Sequence, residues 1–320
     1  MATYKEIKGT NVENFSSDPA NPIAGQVWYN TTSNVLKVSN GPLVSAWATA
    51  NSMNTARTNL AGAGTQASSL AFGGYVPPGT TSSALTESYN GTNWTEVNDL
   101  NTARGLLAGA GASNTAALAF GGYSANTETW NGTNWTEVNN LNTSRGYLAG
   151  AGTNTAALAF GGAPPFPLTV TETWNGTNWT EVNDLNTGRY QLAGAGTNTA
   201  ALAFGGASSA LTESWNGTNW TEVNDLNQSR GLLAGAGATN TAVLAFGGTP
   251  SFPVGYLTET WNGTNWTEVN DLSTRRDKLA GAGTNTAALA FGGSTPPGST
   301  LSTATEEWTT SGGTETISTS

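Results

Sequence analysis

Cysteine and histidine are both missing from this 320-residue chain, and only 10% of its residues are charged. Without those two side chains there is no disulfide, no zinc site with thiolate or imidazole ligands, no thiol nucleophile and no triad built on an imidazole base. Any catalysis would fall to carboxylates, hydroxyls and a few lysines. Cations are scarce as well, with 11 Lys and Arg against 21 Asp and Glu and a net charge of −10. A face that neutralises phosphates needs clustered cations, so nucleic acid is not an expected partner. No apolar run reaches the roughly 18 residues of a membrane span, so no membrane insertion is expected. The opening residues MATYKEIKGTNVENF lack the apolar core of a signal peptide. No Asp-rich calcium loop is present, and no metal or cofactor is expected.

What the chain has is glycine, tryptophan and repetition. A glycine pair closing an apolar run recurs at Gly73-Gly74, Gly121-Gly122, Gly161-Gly162, Gly205-Gly206, Gly247-Gly248 and Gly292-Gly293, with spacings of 48, 40, 44, 42 and 45 residues. Periods of that size suit four short strands per repeat, as in a propeller blade. Within a repeat, LAGAG (148–152) reads as strand a and AALAFGG (156–162) holds strand b. TETW (127–130) reads as strand c and WTEVNN (135–140) as strand d. The Asn-Gly between c and d is a hairpin-turn signal. Strand b sets Leu158 and Phe160 on one face and small Ala157 and Ala159 on the other, which predicts close interdigitation of neighbouring sheets. Helix is excluded by the glycines and β-branched residues that punctuate every segment.

A tryptophan precedes each repeat arginine by ten residues: Trp47–Arg57, Trp94–Arg104, Trp135–Arg145, Trp179–Arg189, Trp220–Arg230 and Trp266–Arg276. The last repeat has no NWTEV strand of its own. The spacing therefore predicts that the strand starting near Trp47 supplies the outer strand of the last blade and closes the ring. The alternative is TETI (314–317).

These residues resemble kelch repeats: an arginine, an apolar strand ending in Gly-Gly, then an aromatic and a tryptophan on the next hairpin, over about residues 45–310. Only Tyr89 keeps the tyrosine usual in that family; the other copies have Trp. The resemblance implies an all-β, six-bladed propeller of four antiparallel strands per blade that binds proteins or glycans. The copper oxidases sharing the fold need His ligands and a Tyr–Cys crosslink, which this composition excludes. Separately, GQVWYNTTSNVLKV, within 19–41, reads as a hairpin and resembles segments of tailed-bacteriophage structural proteins, often ahead of a fibre or adhesin domain. That implies an attachment segment at 1–44 contacting other virion proteins, a propeller at 45–310, a Ser/Thr-rich tail at 311–320, and location in a virion without a signal peptide. A homo-oligomer stays open.

Two sets of residues invite function. The first is a structural ring of Arg57, Arg104, Arg145, Arg189, Arg230 and Arg276 with Glu87, Glu128, Glu172, Glu213, Glu259 and Glu306. Its equal repetition favours ion pairs that lock the blades; a ring of guanidinium groups for an anion is the other reading. The second set lies where the copies stop agreeing. The b–c connections differ in length and content, and so do the two residues after each arginine, whereas the a–b and c–d turns are nearly fixed. Diversity on one rim of a repeated scaffold is what a recognition surface produces. Its aromatics, Tyr75, Tyr123, Tyr147, Phe166, Tyr190, Phe252 and Tyr256, could stack on sugars or anchor a protein.

The outer-strand Glu96, Glu137, Glu181, Glu222 and Glu268 read as a solvated edge. The repeated NGT and NWT sequons read as turn residues. Three functions follow as expectations. The leading one is a non-enzymatic, tail-fibre-like virion protein binding a host-surface glycan or protein, with no catalytic residues. The second is a purely structural virion protein. The third is a polysaccharide-degrading enzyme, which needs two carboxylates in distinct environments.

Overall fold

The structure is a computed structural model describing residues 12–19, 23, 25–39, 44–164, 166–249, 254–296, 300–311 and 314–316. These fall into two units, one covering 46–309 and the other drawn from residues before 46 and after 309.

The larger unit is all-β and contains repeated four-stranded antiparallel sheets, numbered here 1–6 in chain order. In sheet 2 the strands are Leu107–Ser113, Ala116–Gly121, Thr127–Trp130 and Trp135–Val138, in the order a-b-c-d. Trp130 pairs with Trp135 across the Asn-Gly turn, and Thr127 pairs with Val138. Sheet 6 has the order Ala280–Gly283, Ala287–Phe291, Thr305–Ser311, Val44–Ala50, so its outer strand comes from early in the chain.

The alternation in strands a and b has a concrete use. Phe120 and Leu118 of sheet 2 pack on Ala157 and Ala159 of sheet 3, together with Trp174 and Trp179. A Cβ on Gly150 of sheet 3 would lie 2.6 Å from Cζ of Phe120. Glycine there is a hole cut for the neighbour's ring. The same Phe-into-Gly fit recurs from Phe72 to Gly109 through to Phe291 and Gly62.

Each strand-d tryptophan reaches the preceding sheet in the same way. Trp135 Nε1 of sheet 2 donates to Thr86 Oγ1 of sheet 1. Equivalent bonds join Trp179–Thr127, Trp220–Thr171, Trp266–Thr212, Trp47–Thr258 and Trp94–Thr305, all at 2.9–3.1 Å. Each indole also meets a strand-b phenylalanine of that preceding sheet with centroids 4.9–5.1 Å apart. The ten-residue gap from Trp to Arg thus sets the distance from the outer edge of one sheet to the start of the next.

The smaller unit is a sheet in the order Glu13–Phe15, Val27–Asn30, Val35–Ser39, Thr314–Thr316. Val27–Asn30 and Val35–Ser39 form an antiparallel hairpin, and Glu13–Phe15 adds in parallel. Thr314–Thr316 pairs antiparallel with Val35–Ser39. Within the stretch 311–320 expected to be a tail, Thr314–Thr316 is thus a strand of this sheet, and it is not the outer strand of sheet 6. The reason is local: alternating β-branched threonines suit a ladder, and the hairpin's edge would otherwise stay unpaired. Asp18 accepts bonds from Lys37 Nζ at 2.7 Å, Asn30 Nδ2 at 2.8 Å and Trp28 Nε1 at 3.3 Å. Those bonds, led by Lys37, lower its carboxyl to about 2.

Candidate functional site

The repeat arginines and glutamates meet pair by pair. Arg57–Glu87, Arg104–Glu128, Arg145–Glu172, Arg189–Glu213, Arg230–Glu259 and Arg276–Glu306 lie 2.7–3.1 Å apart and are buried. Each Nη1 also bonds a carbonyl of the b–c connection in its own sheet, as Arg145 does with Val170 O at 2.6 Å. Burial lowers the arginine pKa values, and the paired glutamates oppose that shift. The guanidinium groups do not line an open site; each is committed to its own carboxylate and strand ends.

The second oxygen of each glutamate holds something that sequence reasoning passed over. Glu128 Oε2 accepts from both N and Nδ2 of Asn101, at 2.7 and 2.8 Å. Asn54, Asn142, Asn186 and Asn227 do the same for Glu87, Glu172, Glu213 and Glu259, and Ser273 N serves Glu306. The signal was present as Asn (or Ser) three residues before each repeat arginine. The motif fastens the turn after strand d onto the next sheet.

The variable connections converge on one rim. Backbone bridges pin the residue after four of the arginines to the b–c connections: Thr58 to Tyr75, Gly146 to Ala163, Gly231 to Thr249 and Asp277 to Ser294. At the centre of this rim sit Asn59, Leu106, Tyr147, Gln191, Leu232 and Lys278, each two residues after its arginine. All six have left-handed backbones, with φ between 53° and 61°. Their peptides form a cycle. Leu106 N–H donates to Asn59 O, Tyr147 to Leu106, Gln191 to Tyr147, Leu232 to Gln191 and Lys278 to Leu232. Asn59 then donates to Lys278 O, every bond being 2.8–3.0 Å. These residues line a depression of about 130 Å³. Below it six leucines, one per repeat from Leu60 to Leu279, give way to glycine and alanine of the strands a along the axis.

Of the aromatics singled out in the sequence, four gather here. Tyr123 meets Tyr147 edge-on, with centroids 5.9 Å apart, and Tyr147 meets Tyr190 at 6.1 Å. Tyr75 lies against Gly105, where a Cβ would touch its ring at 2.7 Å. Tyr123 is 51% exposed, while Tyr75, Tyr147 and Tyr190 are half-buried. Burial raises the phenols of Tyr75 and Tyr147. Phe166 is exposed on its own connection. Tyr256 ends the short 3-10 turn Val254–Tyr256 and has no ring partner among the described residues. Phe252 lies outside the described residues.

Glu96, Glu137, Glu181, Glu222 and Glu268 are exposed on the outer strands. Among the described residues no group of three acidic side chains is poised to hold a metal.

No family model matches the sequence, and no curated protein matches it. Among solved structures the chain is similar to YjhT, with a TM-score of 0.66 over 82% of this chain and 98% of that one, at 11% identity. At that identity the likeness is one of fold alone: a β-propeller-like arrangement of repeated four-stranded sheets.

Proposed function

We propose that the six sheets are the blades of a six-bladed, kelch-like propeller closed by Val44–Ala50, and that the chain is a non-enzymatic bacteriophage virion protein. In this reading the variable rim binds a host-surface glycan or protein, and residues 1–44 attach to other virion proteins. The observation that carries it is the gathering of Tyr75, Tyr123, Tyr147 and Tyr190 on the one rim whose connections differ from copy to copy. Exposed, rigid aromatics are costly to leave in water and are the usual anchors of recognition. The non-enzymatic reading is supported by the repeat carboxylates: the six buried glutamates are neutralised by arginine in equivalent settings, so none of the six is distinguished as an acid or a base.

Binding of the whole chain to arrays of bacterial surface polysaccharides and to host cells tests the proposal. Binding weakened by Tyr123→Ala and by Tyr147→Leu is expected. Binding indifferent to both, or absent altogether, overturns it.

A purely structural virion role is favoured by a different feature. The outer strand of each of three sheets ends in the same Asn bond to the c–d turn of the next sheet, as in Asn98–Asn134, Asn139–Asn178 and Asn183–Asn219, and offers one exposed surface many times over. Electron microscopy of particles separates the two: variable rims buried against neighbouring subunits favour the structural role.

A further inference from the structure

The depression at the centre of the variable rim has two chemically different sides. Tyr147 stands on one, continued outward by Tyr123 and Tyr190. Following the hydrogen-bonded cycle past Gln191 and Leu232 leads to Lys278 and then Asn59. Lys278 is the one charged residue among those lining the depression. It has no ion-pair partner among the described residues. The adjacent Asp277 is buried, accepts a bond from Ser294 Oγ and forms no ion pair with Lys278. A chain of net charge −10 therefore presents an ammonium without an ion-pair partner among the described residues, across the depression from Tyr147.

We propose that this depression binds a negatively charged saccharide, a deepening that rests on the variable rim being a recognition surface. The hydrogen-bonded cycle narrows the chemistry. Its six peptide N–H groups are already spent on one another, so an anion cannot be held by a nest of backbone amides, and side chains must do the recognising. A sugar ring has apolar C–H faces that pack on phenol rings. It also has hydroxyls that the amides of Asn59 and Gln191 can bond. The acidic substituent lies at Lys278, where a charge-assisted bond forms in a partly desolvated setting. About 130 Å³ is room for roughly one sugar unit, so the rest of a chain would run outward over Tyr123 or Tyr190.

The repeats themselves supply safe variants. Leu106 and Leu232 hold the same left-handed position as Lys278 and Tyr147, so Lys278→Leu and Tyr147→Leu leave the cycle intact. The full-length protein is titrated with uronic-acid-bearing, phosphate-bearing and matched neutral oligosaccharides, with thermal melting as a check on folding. Acidic sugars are expected to bind at least about tenfold more tightly than neutral ones, and Lys278→Leu to erase that margin while sparing residual neutral binding. Tyr147→Leu should weaken both. The carboxylate and phosphate arms identify which acid is preferred. Equal affinity for neutral sugars, unaltered in Lys278→Leu, overturns the proposal but leaves the rim a recognition surface. Binding only to a host protein does likewise, and failure to bind anything overturns both.

Discussion

Five of the six contacts between neighbouring sheets use almost the same words, and the sixth, where sheet 6 meets sheet 1, does not. Elsewhere strand c ends in tryptophan, whose indole bonds the asparagine carbonyl of its own a–b turn, as Trp130 does with Asn114. In sheet 1 that residue is Tyr89, whose hydroxyl crosses to Glu307 Oε1 of sheet 6 at 2.7 Å. Glu307 is itself a departure, standing where the other copies have Thr or Ser. The turn of sheet 1 carries Gln66, whose longer amide reaches Trp308 O at 2.7 Å. The departures from the repeat therefore face one another. Identical interfaces would let a sheet pair as readily with a second copy of the chain as with its own partner; a distinct contact between last and first gives that junction an address.

The largest test is to remove an indole from each kind of junction. Trp94→Ala, at the contact of sheet 1 with sheet 6, and Trp135→Ala, at the contact of sheet 2 with sheet 1, should each cost about 3–5 kcal/mol in urea unfolding. A much smaller loss for Trp94→Ala would mean that the junction of sheet 6 with sheet 1 is not equivalent to the rest. Next comes the buried ionic layer. Arg145→Met strands the Glu172 carboxylate and should cost about 3–5 kcal/mol, while Arg145→Met with Glu172→Met should recover much of it. Full recovery of stability by the double variant with no loss of monomer would mean the pair contributes nothing to uniqueness of folding.

A subtler test addresses the odd junction directly. Tyr89→Phe should destabilise by about 1–2 kcal/mol, since a partly buried carboxylate loses its donor. Restoring the repeat sequence with Tyr89→Trp and Glu307→Thr should raise the fraction of dimers and higher oligomers seen by light scattering. A strictly monomeric double variant sinks the address interpretation. The smallest effect lies in the other unit. Asp18 titrates near 2 against an ordinary 3.8, so its contribution is complete above pH 4 and fades as pH falls through about 2. The indole N–H resonance of Trp28 should shift over that interval, and Asp18→Asn should abolish the shift.

Much of this architecture was legible because repetition exposes constraint. The strand assignments followed from Gly-Gly, Asn-Gly and the fixed Trp-to-Arg gap, and that gap alone pointed Trp47 to the outer edge of sheet 6. Less was legible where a residue acts through geometry. The asparagines that share each glutamate with an arginine look like ordinary turn residues until their amides are seen on Oε2. The six left-handed residues of the central cycle share no side-chain type, so nothing in their identities announces a common backbone. Tyr147 and Tyr190 both lie within two residues of a repeat arginine, yet only Tyr147 belongs to the cycle; Tyr190 stands one residue before Gln191. Thr314–Thr316 was misread because a three-residue strand has too short a pattern to declare its partner.

The central cycle has one more consequence, in the direction of its dipoles. Every N–H points to the preceding repeat in the same rotational sense, so the peptide dipoles circulate like a current loop rather than aligning with the axis. Unlike a helix end, the loop projects no net field toward its mouth. Whatever potential an approaching ligand feels there is written by side chains, and a single substitution at any of the six positions can rewrite it without disturbing the bonds that hold the sheets together.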